Sequence, residues 1–259
     1  MPDKPHGETP GAFYGNGKKY RVLWLLHGTF GDHTDWVRKS MIELYASELE
    51  LIVVMPSALN SNYLNWPEFG TGYNMEDYLI EELMPFVYGW LPASDKKEDN
   101  FISGLSMGGG GALRYILNYP EKFAAGAILS APPMDLSDTD WEGKNPDDRW
   151  GMASPRFRNG VENAGGKEAY IEKEDTLGKI IKTHSEGTLP KLMFACGERD
   201  GFYPKYLAFK ELSEKERMGC AFYEYPGLAH EWRFWDLSIQ EALKFFKIKP
   251  DVPETEGGL

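Results

Sequence analysis

Apolar residues in this chain follow two rhythms. Short, nearly unbroken runs cover residues 20–26, 51–55, 101–105, 124–131, 191–197 and 220–225. Runs of that kind are what strands show when both faces of a sheet are covered. Between them apolar positions recur at steps of three and four. One such segment reaches about Glu48 through Trp36, Met41, Ile42, Leu44 and Tyr45. A second starts at Asn74, an N-cap by its type, with Glu76 and Asp77 in the first turn where the helix dipole favours negative charge. It continues through Leu79, Leu83, Val87 and Trp90, and Pro85 should kink or interrupt it. Further helices are expected after residue 106, over about 204–218, and from Trp232 to Phe246. Strands alternating with helices predict an α/β fold, a mostly parallel central sheet with helices on both faces.

Four stretches break the rhythm. Residues 1–19, rich in Pro and Gly, read as an irregular N-terminal arm. Residues 57–72 form a polar loop that carries Tyr63, Trp66 and Phe69 without periodicity. Residues 135–166 are polar and glycine-rich, and 167–184 read as a helix broken at Asp175 or Gly178. Together they are too long for an ordinary connection, so 135–190 is expected to be a cap or lid-like insertion. The tail 250–259, rich in Pro, Glu and Gly, is expected to be disordered. One catalytic domain over 20–249 accounts for the remainder, a common size for a single α/β domain.

Ligands of open parallel sheets bind beyond the carboxyl ends of the strands, so the loops after the predicted strands are where chemistry should lie. After residues 101–105 comes Gly104-Leu105-Ser106-Met107-Gly108, and three more glycines follow. A G-x-S-x-G between strand and helix forces a sharp turn that exposes the serine oxygen. Each glycine would cost roughly 1 kcal/mol against alanine inside a helix, so close packing must require them.

Ser106 is therefore the candidate nucleophile. It needs a base, and the base needs an orienting carboxylate. Asp200 follows the strand ending at Gly197, and His230 follows the last strand. Their order, Ser106, Asp200, His230, is that of α/β-hydrolases. Glu198 is a rival carboxylate. His27 is read as a structural residue under the loop after the first strand. The Met107 N–H, at a helix N-terminus, and the Thr29 N–H are the candidate oxyanion donors, with Phe30 next. Phe30, Trp36, Tyr63, Trp66, Trp141 and Trp150 are candidates for lining a substrate pocket, against the plainer reading that such aromatics belong to the core. Arg156 and Arg158 are candidates for a substrate anion, against the reading that the charges of 135–166 form a solvated surface.

A net charge of −12 over 259 residues argues against nucleic acid and against anionic membranes. No apolar run approaches the roughly 20 residues a bilayer span needs, and no early stretch resembles an export signal. Cys196 and Cys220 would sit at opposite ends of neighbouring strands, too far apart for a disulfide. Free thiols fit a reducing, cytoplasmic setting. No Cys/His cluster has zinc spacing, so neither metal nor other cofactor is expected.

At four blocks the chain resembles the putative esterase family of α/β-hydrolases, the group of esterase D, tributyrin esterases, feruloyl and acetyl xylan esterases and mycolyl transferases. The blocks are Leu25-Leu26-His27-Gly28 with Trp36, Gly104 to Gly109, Cys196-Gly197 with Asp200, and His230-Glu231-Trp232 with Trp235. The resemblance spans about residues 20–247 and is nearest the tributyrin and feruloyl branch. It implies the α/β-hydrolase fold and a serine ester hydrolase in which Ser106 attacks, His230 is the base and Asp200 the acid. The expected substrates are short-chain or aromatic acyl esters (acetyl, butyryl, feruloyl), with small molecules or plant oligosaccharide fragments as the alcohol half. Acyl transfer and S-formylglutathione hydrolysis are the alternatives within the family, the latter disfavoured by the negative field of the chain. A non-catalytic binding protein is the alternative of another class. Family members usually carry one or two strands before the His-Gly strand. Those edge strands are expected to be missing here, which leaves oligomeric state open, a homo-oligomer included.

Overall fold

A computed structural model describes residues 7–70, 73–148 and 151–248. The sheet strands are β1 (Val22–Leu26), β2 (Ile52–Val54), β5 (Asn100–Leu105), β6 (Ala125–Leu129), β7 (Lys191–Gly197) and β8 (Ala221–Tyr225). They lie in the order β2-β1-β5-β6-β7-β8, and every pairing is parallel. Side chains alternate between the faces with period two. Val22, Trp24 and Leu26 enter one core, whereas Leu23 and Leu25 enter the other. Both cores are buried and apolar, which is why the runs are apolar throughout.

The first core is closed by α1 (Pro10–Tyr14), α5 (Met84–Trp90), α6 (Met107–Asn118), α9 (Thr176–Ser185) and α10 (Tyr203–Lys215). The second is closed by α2 (Asp35–Lys39), α3 (Ile42–Glu48) and α11 (Trp232–Phe245). The α/β reading thus matches the observed architecture. Among the described residues no helix is long and apolar enough to cross a membrane. Cys196 and Cys220 are both free thiols; Cys196 pairs in register with Glu224, which offsets it from Cys220 along the sheet.

Several local expectations change. The arm is not wholly irregular: Thr9 Oγ1 accepts the Ala12 N–H at 3.2 Å, Pro10 opens α1, and Phe13 is buried. An N-cap threonine before a proline is a helix start that composition alone obscures. The helix ending at Glu48 is two helices, because Ser40 turns its backbone extended and its Oγ donates to the Trp36 carbonyl at 2.6 Å. Pro85 does interrupt its helix. Short α4 (Met75–Asp77) passes into a π-helical turn over Tyr78–Leu83, and the Met84 N–H donates five residues back to Leu79 before α5 begins. A proline without an N–H cannot continue the ordinary ladder, and a widened turn absorbs the break. Asn74 flanks α4 but makes no side-chain cap. Asn65 Oδ1 accepts the Glu76 and Asp77 N–H groups instead, at 3.1 and 3.2 Å. Asn65 arrives there on a small antiparallel ribbon, in which β3 (Asn65–Trp66), inside the non-periodic 57–72 loop, pairs with β4 (Tyr73–Asn74) just after it.

The 135–190 insertion holds α7 (Pro155–Asn163), α8 (Lys167–Glu174) and α9. The predicted break falls at Asp175, whose Oδ1 accepts the Gly178 N–H at 3.0 Å and caps α9. Leu136, Phe157, Val161, Ala164 and Tyr170 form a third, separate core with Leu64 and Trp66 from the β3 loop. The tail 250–259 lies outside the described residues.

Candidate active site

Ser106 stands between β5 and α6 with φ 53° and ψ −117°. A non-glycine residue held there costs on the order of 1–3 kcal/mol, so its surroundings must over-determine it. The Ser106 N–H donates to the Leu129 carbonyl at 2.8 Å, and its own carbonyl accepts the Gly110 N–H at 3.0 Å. Close packing does the rest. A β-carbon on Gly108 would sit 2.5 Å from the His27 carbonyl oxygen and 2.6 Å from that of Leu26, so α6 rests directly on the end of β1.

The loop after β1 is held equally tightly. The Ala58 N–H donates to His27 Nε2 at 2.9 Å, which leaves the proton on Nδ1, 2.7 Å from the Gly28 carbonyl. Burial keeps this imidazole below its usual pKa, although the Gly28 carbonyl works against that. His27 is thus the structural residue expected. Thr29 lines the same cavity as Ser106 and Met107. Neither the Thr29 nor the Met107 N–H has a protein acceptor among the described residues, and Met107 opens the 12-residue helix α6, where the dipole favours negative charge. Phe30 is not equivalent to them. Its N–H is taken by Asn60 Oδ1 at 2.7 Å, and its ring, 89% exposed, does not line the cavity.

Two of the other pocket candidates lie behind this loop. Trp36 is buried in the second core and donates Nε1–H to the Leu26 carbonyl at 3.1 Å. Tyr63 is buried beneath α6 and donates its hydroxyl to the His27 carbonyl at 3.1 Å. Each satisfies a backbone carbonyl at the strand end, and neither lines the cavity. Trp66 does line it. Trp141 packs instead against Phe157 and Tyr170, with ring centroids 5.5 and 6.5 Å away. Trp150 lies outside the described residues.

Asp200 and His230 come together at the ends of β7 and β8. His230 Nδ1 lies 2.8 Å from Asp200 Oδ2, with the carboxylate buried and Glu198 exposed to solvent. Asp200 Oδ1 also accepts the Phe202 N–H at 2.9 Å. Burial pushes the Asp200 carboxyl up, but the hydrogen bonds from His230, the Phe202 amide and the Ser130 hydroxyl outweigh it, so it stays below the ordinary carboxylate range. Ser130 in turn accepts Trp235 Nε1–H at 3.0 Å. The Trp235 ring meets the His230 ring edge to face, centroids 5.0 Å apart. One connected set therefore runs from Trp235 through Ser130 and Asp200 to His230.

The cavity beside Ser106 encloses about 410 Å³. Leu113, Met134 and Phe157 join Trp66 in its apolar lining. Its polar lining includes a buried ion pair, Arg114 Nη1 to Glu174 Oε2 at 2.8 Å. Arg114 Nη2 also donates to the Asn62 carbonyl. Among the described residues no group of three or more His, Cys, Asp or Glu could hold a metal.

Residues 6–246 match the Putative esterase family. The chain belongs to that family. The esterase is 28% identical to an acetyl esterase of Caldicellulosiruptor saccharolyticus over 89% of this chain and 84% of that one. Its fold is similar to that of fluorophosphonate-binding serine hydrolase F of Staphylococcus aureus, solved with substrate bound, with a TM-score of 0.71 and 28% identity over 95% of this chain and 89% of that one. It is likewise similar to the S-formylglutathione hydrolase of Staphylococcus aureus, with a TM-score of 0.70 and 28% identity over 95% and 90%. The esterase is a carboxylesterase of the serine hydrolase type with the α/β-hydrolase fold.

Sequence reasoning missed Ser130, Trp235 as a hydrogen-bond donor, and the Arg114–Glu174 pair. The signals were present. Ser130 follows a strand on the same rim as Ser106 and Asp200, and Arg114 is a lone charge in the apolar run Ala112-Leu113-Arg114-Tyr115-Ile116.

Proposed function

We propose that the esterase hydrolyses short-chain or aromatic acyl esters through an acyl-enzyme on Ser106. The observation that carries this reading is the Asp200–His230 hydrogen bond on the same sheet rim as the strained Ser106. Asp200 fixes the imidazole with its proton on Nδ1, leaving Nε2 free to take the Ser106 hydroxyl proton. Ser106 Oγ then bonds to the ester carbonyl carbon, and the developing oxyanion is received by the Met107 and Thr29 N–H groups. The proton passes to the leaving alcohol as the C–O bond breaks. Water attacks the acyl-enzyme by the same base, and the acid departs. The apolar walls formed by Trp66, Leu113 and Phe157 suit an acyl chain or an aromatic ring. No step in this scheme calls for a cofactor.

Turnover of 4-nitrophenyl acetate and butyrate by wild type and Ser106→Ala tests the scheme. The serine variant should lose at least about 10³-fold in kcat while keeping its thermal midpoint. Wild type should release a burst of nitrophenol matching the enzyme concentration if deacylation is slow. Equal rates in the two proteins would remove Ser106 from the chemistry. A marked preference for octanoyl over butyryl esters would overturn the short or aromatic assignment.

A further inference from the structure

The sign of charge in the cavity differs from that of the chain. Arg114, Arg156 and Glu174 all line it, two cations to one anion, in a chain of net charge −12. Arg114 is fixed by Glu174 and the Asn62 carbonyl, and among the described residues its buried Nε–H has no acceptor. Arg156 has the opposite setting. It is exposed and makes no ion pair or hydrogen bond among the described residues. It lies in the first turn of the nine-residue α7, with no acidic residue in that turn and no side-chain cap at Ser154. A cation there opposes the helix dipole, so helix stability does not account for it. Its neighbour Arg158 differs, donating Nη1–H to the Met152 and Ala153 carbonyls. Tyr170 lines the cavity with the two arginines. Burial and then Glu174 push its hydroxyl up, while Arg114 and Arg156 both pull it down.

Position within the cavity follows from the proposed chemistry, on which this inference rests. The leaving oxygen must lie within reach of His230, and His230 does not line the cavity, whereas the Thr29 and Met107 oxyanion residues do. The cavity therefore takes the acyl half. Gly110 follows Ser106 by four residues, about 6 Å along the helix. A β-carbon there would meet the Arg114 guanidinium at 3.6 Å. A group at the far end of a medium-length acyl chain would thus reach Arg114, which lines the cavity with Arg156. We propose that the cavity is a subsite for acyl groups ending in a carboxylate, received by Arg156 beside the Arg114 guanidinium, so that half-esters of dicarboxylic acids are preferred substrates. Hydrolysis of such a half-ester breaks the same C–O bond and releases the dicarboxylate and the alcohol, with water the only co-reactant.

Mono-4-nitrophenyl adipate against 4-nitrophenyl hexanoate isolates the distal carboxylate at constant chain length. Wild type should show kcat/KM at least about tenfold higher for the adipate, the scale of a charge-assisted hydrogen bond. Arg156→Gln should bring that ratio down towards one, and Arg156→Lys should keep part of it. A wild-type ratio of one or less, or a ratio unchanged in Arg156→Gln, overturns the subsite and leaves the esterase scheme standing. Should wild type hydrolyse neither ester, the Ser106 scheme fails, and calorimetry on the Ser106→Ala protein decides the subsite. Monomethyl adipate binding tighter than methyl hexanoate would uphold it, and equal or weaker binding would end it.

Discussion

Backbone atoms hold the rim around Ser106, whereas side chains hold the insertion above it. On the rim, α6 lies against the carbonyls of His27 and Leu26, and the Leu129 carbonyl fixes the Ser106 amide. In the insertion, five buried side chains form a core with Leu64 and Trp66 of the β3 loop. A backbone contact constrains sequence to glycine or to a single turn, while a small side-chain core tolerates volume-conserving exchange. The geometry for attack on an ester and the choice of which ester can therefore change independently.

The largest expected effect breaks the rim without touching the insertion. Asp200→Asn should fold normally and lower kcat by about 10⁴-fold, because an amide beside Nδ1 favours the wrong tautomer of His230. Ser130→Ala removes one donor to the same carboxylate and should cost roughly ten- to a hundredfold. KM for 4-nitrophenyl butyrate should hardly move in either. A tenfold rise in KM with kcat preserved would mean that this side of the rim serves binding and that the two regions are not separate.

Next in size is the reverse experiment. Phe157→Ala removes a ring buried between Trp141 and Tyr170 and should loosen the insertion by about 3–5 kcal/mol. Hydrogen exchange should report that loss in α7 and α8 while β5 and α6 stay protected. For 4-nitrophenyl acetate, whose small acyl group needs little of the cavity wall, kcat should stay within a few-fold of wild type. Loss of a hundredfold in kcat would show that the insertion positions the rim.

The same contrast governs what could be read from sequence. The six sheet strands were legible because burial on both faces writes itself as unbroken apolar runs, and the rim rule then placed Ser106, Asp200 and His230 on one edge. Asp200 and His230 do meet there, 2.8 Å apart. The aromatic candidates were harder. Trp36 and Tyr63 lie near the rim in sequence, but their polar atoms satisfy strand-end carbonyls from behind, a demand that only the folded backbone reveals. Ser130 carries no periodic signal; only its place on the rim hints at it, and its role shows through Asp200. Within the insertion, the break at Asp175 was legible from local chemistry, but the third core was not. Its members are scattered over 64–170, and nothing in their spacing announces that the β3 loop and α7 share it.

Adjacent glycines give the smallest and sharpest test. A β-carbon on Gly111 would meet the Tyr63 ring at 2.8 Å, and that ring is pinned by its hydroxyl bond to the His27 carbonyl. At Gly110 the nearest atom is the Arg114 guanidinium at 3.6 Å, an ordinary contact. Both residues are helical, so alanine gains up to about 1 kcal/mol of helix propensity at either. At Gly111 the overpacking should outweigh that gain and give a net loss of about 1–3 kcal/mol. At Gly110 the gain should survive, and stability should rise by a few tenths to about 1 kcal/mol. Urea midpoints of the two variants, read against wild type, should therefore move in opposite directions. If both fall, the cavity side of α6 is packed as tightly as its buried side, and the distinction between a backbone-held rim and an open wall facing the insertion fails at the helix that carries Ser106.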